Sequence, residues 1–292
     1  MIGRYRFSSG GVLIAESENL ITTVGKKAVV DYLAGFTQNL AGAIVLGVGT
    51  TAANVADKAL EYEVARVPIR LRSPDYTNYG VIFKAQVNLS DAWKAYEAGL
   101  VSSADSPNTY SSKPLLTFDS SFDSWSAGTF VATNSRQNEA LRLAPGASAT
   151  TTATLSNLVV DLSGYSNTDQ FNFAFYTASA FVSSVVLRLK VDASNYYSYS
   201  IATPSNGVYG IYKIAKSAFS ATGSPSWANI TQAEVAVTST AGGSGIVDFD
   251  GLRIEDLDSY RENDVLVSRS ILGAQITKTA GLPLDIEYTI TI

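Results

Sequence analysis

The sequence predicts a two-part fold: an α+β base, with one main helix and an antiparallel sheet, carrying an inserted all-β jelly-roll sandwich. Three observations predict it. A mixed pattern of charged and apolar residues runs from the start of the chain to about Val101, a Ser/Thr/Ala-rich stretch of β-type runs follows, and the mixed pattern resumes near Asp264. The closing segments 264–272 and 284–292 read as strands, and two strands alone cannot bury a face in water. The opening segment offers them partners. The predicted domains are therefore residues 1–104 together with 258–292, and residues 113–257.

With 292 residues and 46% apolar content, the chain is long enough to bury a core. It has no cysteine and no histidine, which removes disulfides, thiolate chemistry, the side chain that most often acts as general base near neutral pH, and the commonest transition-metal ligand. A net charge of -5 and the absence of any basic run longer than Lys26-Lys27 argue against a nucleic-acid partner. The run Val12-Leu-Ile-Ala15 is too short for a membrane span or a signal-peptide core, so neither membrane insertion nor Sec export is expected.

In the base, Val24, Ala28, Tyr32 and Phe36, with Val29 and Leu33 beside them, form one helical stripe that should pack a helix of about four turns. Thr22 or Thr23 can cap its start, and Gly35 can end it in the left-handed conformation. Strands are expected at Ala43–Val48, Tyr62–Leu71 and Gly80–Asn88 in a sheet covered on one face. Gly47-Val-Gly-Thr-Thr-Ala52 matches a dinucleotide fingerprint in spacing, but Asp57 arrives too early and Val67-Pro68 enters the region where a second parallel strand should lie. A glycine-permitted loop is the better reading. Asp57, Glu61, Glu63 and Arg66 can form local ion pairs or a subunit contact.

The stretch from Ile44 through Gly47-Val-Gly-Thr-Thr51, Asp57, Leu60, Glu63 and Arg66, preceded by Asn19–Gly25, resembles the small structural domains of tailed-bacteriophage tail, baseplate and neck proteins. Glu97-Ala-Gly-Leu-Val101 and the strand after Leu282 resemble that family's later motif and closing strand. The resemblance implies a virion building block without catalytic residues, assembled in the host cytoplasm. Its partners would be other phage virion proteins, and its working state a symmetric homo-oligomer.

The linkers are read at 102–114, rich in Ser and Pro, and at 256–264, which is charged. Between them, strand-like runs recur at 140–143, 159–162, 171–176, 185–191, 196–201, 209–214, 234–237 and 246–254, with Gly, Ser and Asn turns and no long helical period. That spacing predicts a sandwich. The segments Val160–Tyr165, Gly223–Thr231 and Val247–Arg253 are similar to galactose-binding-like or carbohydrate-binding-module sandwiches. The likeness implies the fold and leaves open whether a sugar is bound.

Trp125, Trp227, Tyr196, Tyr197 and Tyr199 are candidates for stacking on sugar rings of a host surface glycan, or for packing the core. Asp248 and Asp250 lie two apart on an expected strand and could ligate a structural calcium from one face, or be solvated. No other cofactor is implied. Paired-carboxylate glycosidase chemistry would need a deep polar cleft that nothing in the sequence indicates. The expected function is a non-enzymatic virion component with the sandwich displayed outward; the alternative is a host-glycan adhesin module of a tail fibre.

Overall fold

The computed structural model describes residues 1–36, 40–103, 112–120, 123–132, 139–255 and 265–291; most of the expected linker residues lie outside these. The chain divides into two compact units, Met1–Tyr110 with Asp258–Ile292, and Ser111–Leu257. Both are built mostly from antiparallel strands.

The first unit opens with a hairpin that the sequence reading passed over, β1 (Ile2–Ser9) and β2 (Val12–Glu18). Gly3, Tyr5 and Phe7 point inward while Arg4 and Arg6 point out to Glu16 and Glu287. A two-residue β3 (Leu20–Ile21) leads into α1 (Thr23–Leu33). Thr22 caps α1 by accepting from the Gly25 N–H at 2.9 Å, and the chain leaves the helix through Gly35 at φ +78°. Then come β4 (Ala43–Gly47), β5 (Glu63–Asp75), β6 (Gly80–Val87) and β7 (Trp93–Val101).

The second unit is a two-sheet sandwich. Its strands are β8 (Ser112–Leu116), β9 (Thr129–Val131), β10 (Ala140–Leu143), β11 (Thr150–Val160), β12 (Gln170–Thr177), β13 (Val182–Lys190), β14 (Tyr196–Ala202), β15 (Tyr209–Ala215), β16 (Ser220–Thr222), β17 (Ile230–Ser239) and β18 (Val247–Glu255). One sheet runs β15-β12-β18-β10-β9, with β8 also on β18, and the other β11-β17-β13-β14-β16. Between them lie Phe171, Phe173 and Phe175 of β12, Phe249, Leu252 and Ile254 of β18, and Leu187, Leu189, Val235 and Val237 of the facing sheet. Alternation along each strand sends the intervening residues to the outer faces.

The chain then returns to the first unit through β19 (Leu266–Lys278) and β20 (Leu284–Thr291). The base sheet has the order β2-β1-β20-β6-β5-β4-β7-β19-β3. Thirteen-residue β5 pairs with β4 through its first half and with β6 through its second, so one strand joins the two halves of the sheet. The halves pack on each other: Tyr5, Phe83 and Tyr288 share a core with Ile44, Leu46, Trp93 and Val267. Tyr5 and Ser268 are hydrogen-bonded across it at 2.8 Å.

This arrangement corrects the α+β expectation for the base. No residue of α1 belongs to the shared core, and Gly25 is the only buried residue of the helix. The stripe packs only in part: Val24, Ala28 and Val29 are half-buried. Val30, Tyr32 and Leu33 are exposed, and Phe36 lies beyond the helix end, exposed as well. The sheet fills its own interior by folding over, which leaves the helix to sit on β19 through Gly25; a Cβ there would lie 2.1 Å from the Val267 carbonyl. The fold is thus mostly β, with a single helix of three turns among the described residues.

Candidate functional site

Four of the five aromatic candidates are structural. Trp227 lies flat on Tyr197, centroids 3.7 Å apart and planes 5° apart, and it also contacts Phe171 and Phe219 in the core and the Lys216 ammonium, 5.3 Å from its ring centre. Tyr197 donates its hydroxyl to the Pro225 carbonyl at 2.9 Å. Tyr199 packs on Phe219, and Trp125 stacks on Phe118 at 5.0 Å. Their faces are taken by one another, which leaves little room for a sugar ring. Tyr196 differs: it stands on the outer face of the five-stranded sheet, with Lys190 Nζ 6.0 Å from its ring centre.

The acidic pair sits on the outer face of the other sheet, and both residues are buried. Asp248 accepts from Arg142 Nε at 2.7 Å and from Nη2 at 2.9 Å. That bidentate bond commits both carboxylate oxygens to a guanidinium and raises the arginine's pKa. Asp250 falls at a bulge, where Ala174 pairs with Gly251 and Phe175 with Phe249. Among the described residues no group of three or more acidic side chains is placed to hold a metal. A second cationic position is filled by the chain itself. Buried Lys216 donates to the carbonyls of Leu162 at 2.8 Å and Tyr165 at 2.5 Å; burial pulls its pKa down against the pull of Asp169 and Asp161.

Strand register assembles the rest of this outer face. Tyr209 pairs with Tyr176, Tyr176 with Asp248, Asp248 with Arg142, and Arg142 with Thr129, giving one row across β15, β12, β18, β10 and β9. Small residues, Ala174, Gly251 and Ala140, follow in the middle of the sheet. A second polar row, Lys213, Asn172 and Arg253, lies beyond them, and Glu255 pairs with Gln170 in the next. Tyr176, Tyr209 and Arg142 are partly exposed, whereas Asp248, Asp250, Asn172, Arg253 and Glu255 are buried. The result is a polar floor with two tyrosines at one margin. Only Asp248 and Asp250 of this face were singled out from the sequence. The signal was present in the alternation of β12, where Phe171, Phe173 and Phe175 are inward and Gln170, Asn172 and Tyr176 are outward.

The base contains a second polar cluster, and it explains the motif residues. The Glu97 side chain, fully buried, accepts from the N–H groups of Gly49 and Tyr62 at 3.0 Å and of Glu61 at 3.1 Å, and from Arg269 Nε at 2.8 Å. Arg269 also reaches Asp57 at 2.7 Å and the Thr51 carbonyl at 3.1 Å. Burial pushes the Glu97 carboxyl above its usual range, with Arg269 and the backbone donors pulling it back. The glycines of Gly47-Val-Gly49 therefore make room for a carboxylate of their own chain: a Cβ on Gly49 would lie 2.6 Å from Glu97 Oε1. No phosphate role is needed for them. Of the expected local ion pairs, Arg66 holds Glu63 at 2.8 Å, while Asp57 belongs to Arg269. No described helix is long and apolar enough to cross a membrane.

No protein-family model matches the chain, and no curated protein matches it. Among solved structures, it is similar to the family 11 carbohydrate-binding module from Clostridium thermocellum in complex with a β-1,3-1,4-mixed-linked tetrasaccharide, with 14% identity, 50% of this chain and 95% of that one covered, and a TM-score of 0.39. It is similar to TmCBM61 in complex with β-1,4-galactotriose, with 11% identity, 48% and 99% covered, and a TM-score of 0.27. It is also similar to the enzymatically active domain of bacteriophage CBA120 tailspike protein 4, with 15% identity, 48% of this chain but only 21% of that one covered, and a TM-score of 0.29.

Proposed function

We propose that this chain is a non-enzymatic glycan-recognition protein of a bacteriophage virion, in which the outer face of the β15-β12-β18-β10-β9 sheet contacts a host-surface polysaccharide. The observation that carries the reading is the row Tyr209, Tyr176, Asp248, Arg142. Aromatic rings offer an apolar face to the C–H surface of a pyranose, and the partly exposed Arg142 guanidinium, held in place by Asp248, offers fixed donors to its hydroxyls. Tyrosine suits this because its ring is apolar and its tip is polar.

The virion assignment rests on the resemblance of the base motifs to tail, baseplate and neck domains. It is supported by the finding that Gly49, Asp57, Glu61 and Glu97 of those motifs meet in one network with Arg269. Such a network fixes a loop rather than performing chemistry, as expected of a docking domain that repeats around an axis. The lack of enzymatic activity is supported by the absence of His and Cys and by the engagement of Asp248 with Arg142.

Affinity electrophoresis of the full chain through gels containing host polysaccharides tests the glycan reading. Retardation by one of them is expected, and Tyr176→Ala or Tyr209→Ala should lower it about two- to tenfold, the scale of a lost stacking contact. Unretarded migration through all gels would leave the sandwich as a spacer between virion proteins.

A further inference from the structure

The inner face of the base sheet ends in a cavity that the core does not fill. On β5 the buried Val67 and Ile69 look inward, and regular alternation would place Leu71 beside them, over the buried Phe83 of β6. The chain does otherwise. An extra residue enters β5 after Ile69, which pairs with Ala85, so that Leu71 pairs with Lys84 and Arg72 with Phe83. This bulge leaves Leu71 52% exposed and turns an arginine over the apolar face. Putting a guanidinium where a leucine could be buried forfeits apolar burial, so packing alone does not account for it.

Arg72 stands beside a cavity of about 500 Å³ whose walls include Tyr32 of α1, Leu40, Pro74 of β5, and Val81 and Phe83 of β6. That volume suits a small organic ligand, for which apolar walls with a few fixed polar groups are the usual lining. Tyr32, Arg72 and Pro74 are exposed, so solvent reaches the cavity. One bond holds the guanidinium there, from Nη2 to the Ala41 carbonyl at 2.6 Å. Arg4, Arg6, Arg66 and Arg269 of the same unit each hold a carboxylate. Among the described residues Arg72 holds none, and no acidic side chain lines the cavity. Its remaining N–H groups are donors without acceptors beside an apolar recess.

We propose that this cavity binds a small amphipathic carboxylate, whose apolar body packs on Tyr32, Val81 and Phe83 and whose carboxylate accepts from Arg72. The planar guanidinium offers two parallel N–H donors that match the two oxygens of a carboxylate, whereas an alcohol can use one of them and an alkylammonium is repelled. The site belongs to the base and does not depend on the glycan reading of the sandwich.

The test is isothermal titration calorimetry of the full chain with octanoate, octanol and octylamine as probes, each below the concentration at which it forms micelles. Octanoate is expected to bind at one site per chain, at least about fivefold tighter than octanol, with octylamine weaker still. Arg72→Gln should bring octanoate down to the affinity of octanol and leave octanol unchanged. Val81→Phe, which fills the cavity, should weaken both, and thermal melts check that each variant is folded. No saturable binding of octanoate by the parent, equal affinities for octanoate and octanol, or an Arg72→Gln protein that keeps the preference would overturn the proposal. So would octanoate binding that a folded Val81→Phe protein retains in full, because the acid would then be held elsewhere.

Discussion

Replacing Arg269 by methionine removes a guanidinium from a site where almost no water can replace it. The arginine is 3% exposed and Glu97 is 0% exposed, so the variant strands a carboxylate that still accepts from three backbone N–H groups but has lost its only counter-charge at hydrogen-bonding distance. Breaking a buried pair from one side costs about 3–5 kcal/mol, more than the pair contributes relative to an apolar substitute, because the remaining charge stays desolvated. Glu97 limits this cost by taking a proton. Burial already pushes its pKa upward, and loss of Arg269 pushes it further. A carboxyl whose folded pKa exceeds its unfolded value favours the fold at low pH and loses that contribution as pH rises through the folded value. The destabilisation by Arg269→Met should therefore be about 3–5 kcal/mol at pH 8 and clearly smaller at pH 5.

With two compact units in one chain, a whole-chain signal would mix their contributions, so base unfolding needs its own probe. Trp93 is the only tryptophan of the base, since Trp125 and Trp227 lie in the sandwich. In a Trp125→Phe, Trp227→Phe background its fluorescence reports base unfolding by urea. The double variant Glu97→Gln, Arg269→Met should cost less than the sum of the single changes, since neither charge is left alone. A single-variant loss under about 1 kcal/mol at pH 8, or a loss that grows as pH falls, would refute the idea that this pair organises the 48–62 loop.

Much of the sandwich was legible because its strands alternate strongly. The runs expected at 171–176, 196–201 and 209–214 lie within β12, β14 and β15. The expected run at 159–162 overlaps only the end of β11, which starts at Thr150: its Thr-Thr-Thr-Ala-Thr opening is polar enough to pass for a loop, yet β-branched residues suit an outer sheet face. The base was harder. Its hairpin β1–β2 alternates Arg4, Arg6 against Tyr5, Phe7, but Val12-Leu-Ile-Ala15 in the second strand is a continuous apolar run without that alternation. The helix was predicted with the right cap and the right stop, and with the wrong burial, because a stripe of Val, Tyr and Leu says that a face is apolar and not that anything covers it. The Glu97–Arg269 pair joins residues 172 positions apart and leaves no local pattern. Likewise, the row Tyr209, Tyr176, Asp248, Arg142 exists only once the strands are in register; each member alone is an ordinary outward residue.

Tyr288 lies in the base core with its pKa pushed up to about 12 by burial, so the phenol favours the fold below pH 10 and that contribution is lost as pH rises toward 12. Base unfolding followed by Trp93 should set in over that range, and Tyr288→Phe should shift the onset upward. Gly49→Ala should destabilise the same unit by about 1–3 kcal/mol through overpacking against Glu61 and Glu97, read by the same urea titration. Lys216→Met strands the carbonyls of Leu162 and Tyr165 and should lower the melting temperature of the sandwich, measurable by calorimetry. Finally, the parent protein should melt at the same temperature with calcium and with a chelator. Asp248 already gives both oxygens to Arg142, and Lys216 supplies the positive charge among the carbonyls of the 162–165 loop, so a divalent ion finds no open set of oxygens at either place. A drop of several degrees on chelation, restored by calcium and abolished by Asp248→Asn or Asp250→Asn, would show that the carboxylates hold a metal after all.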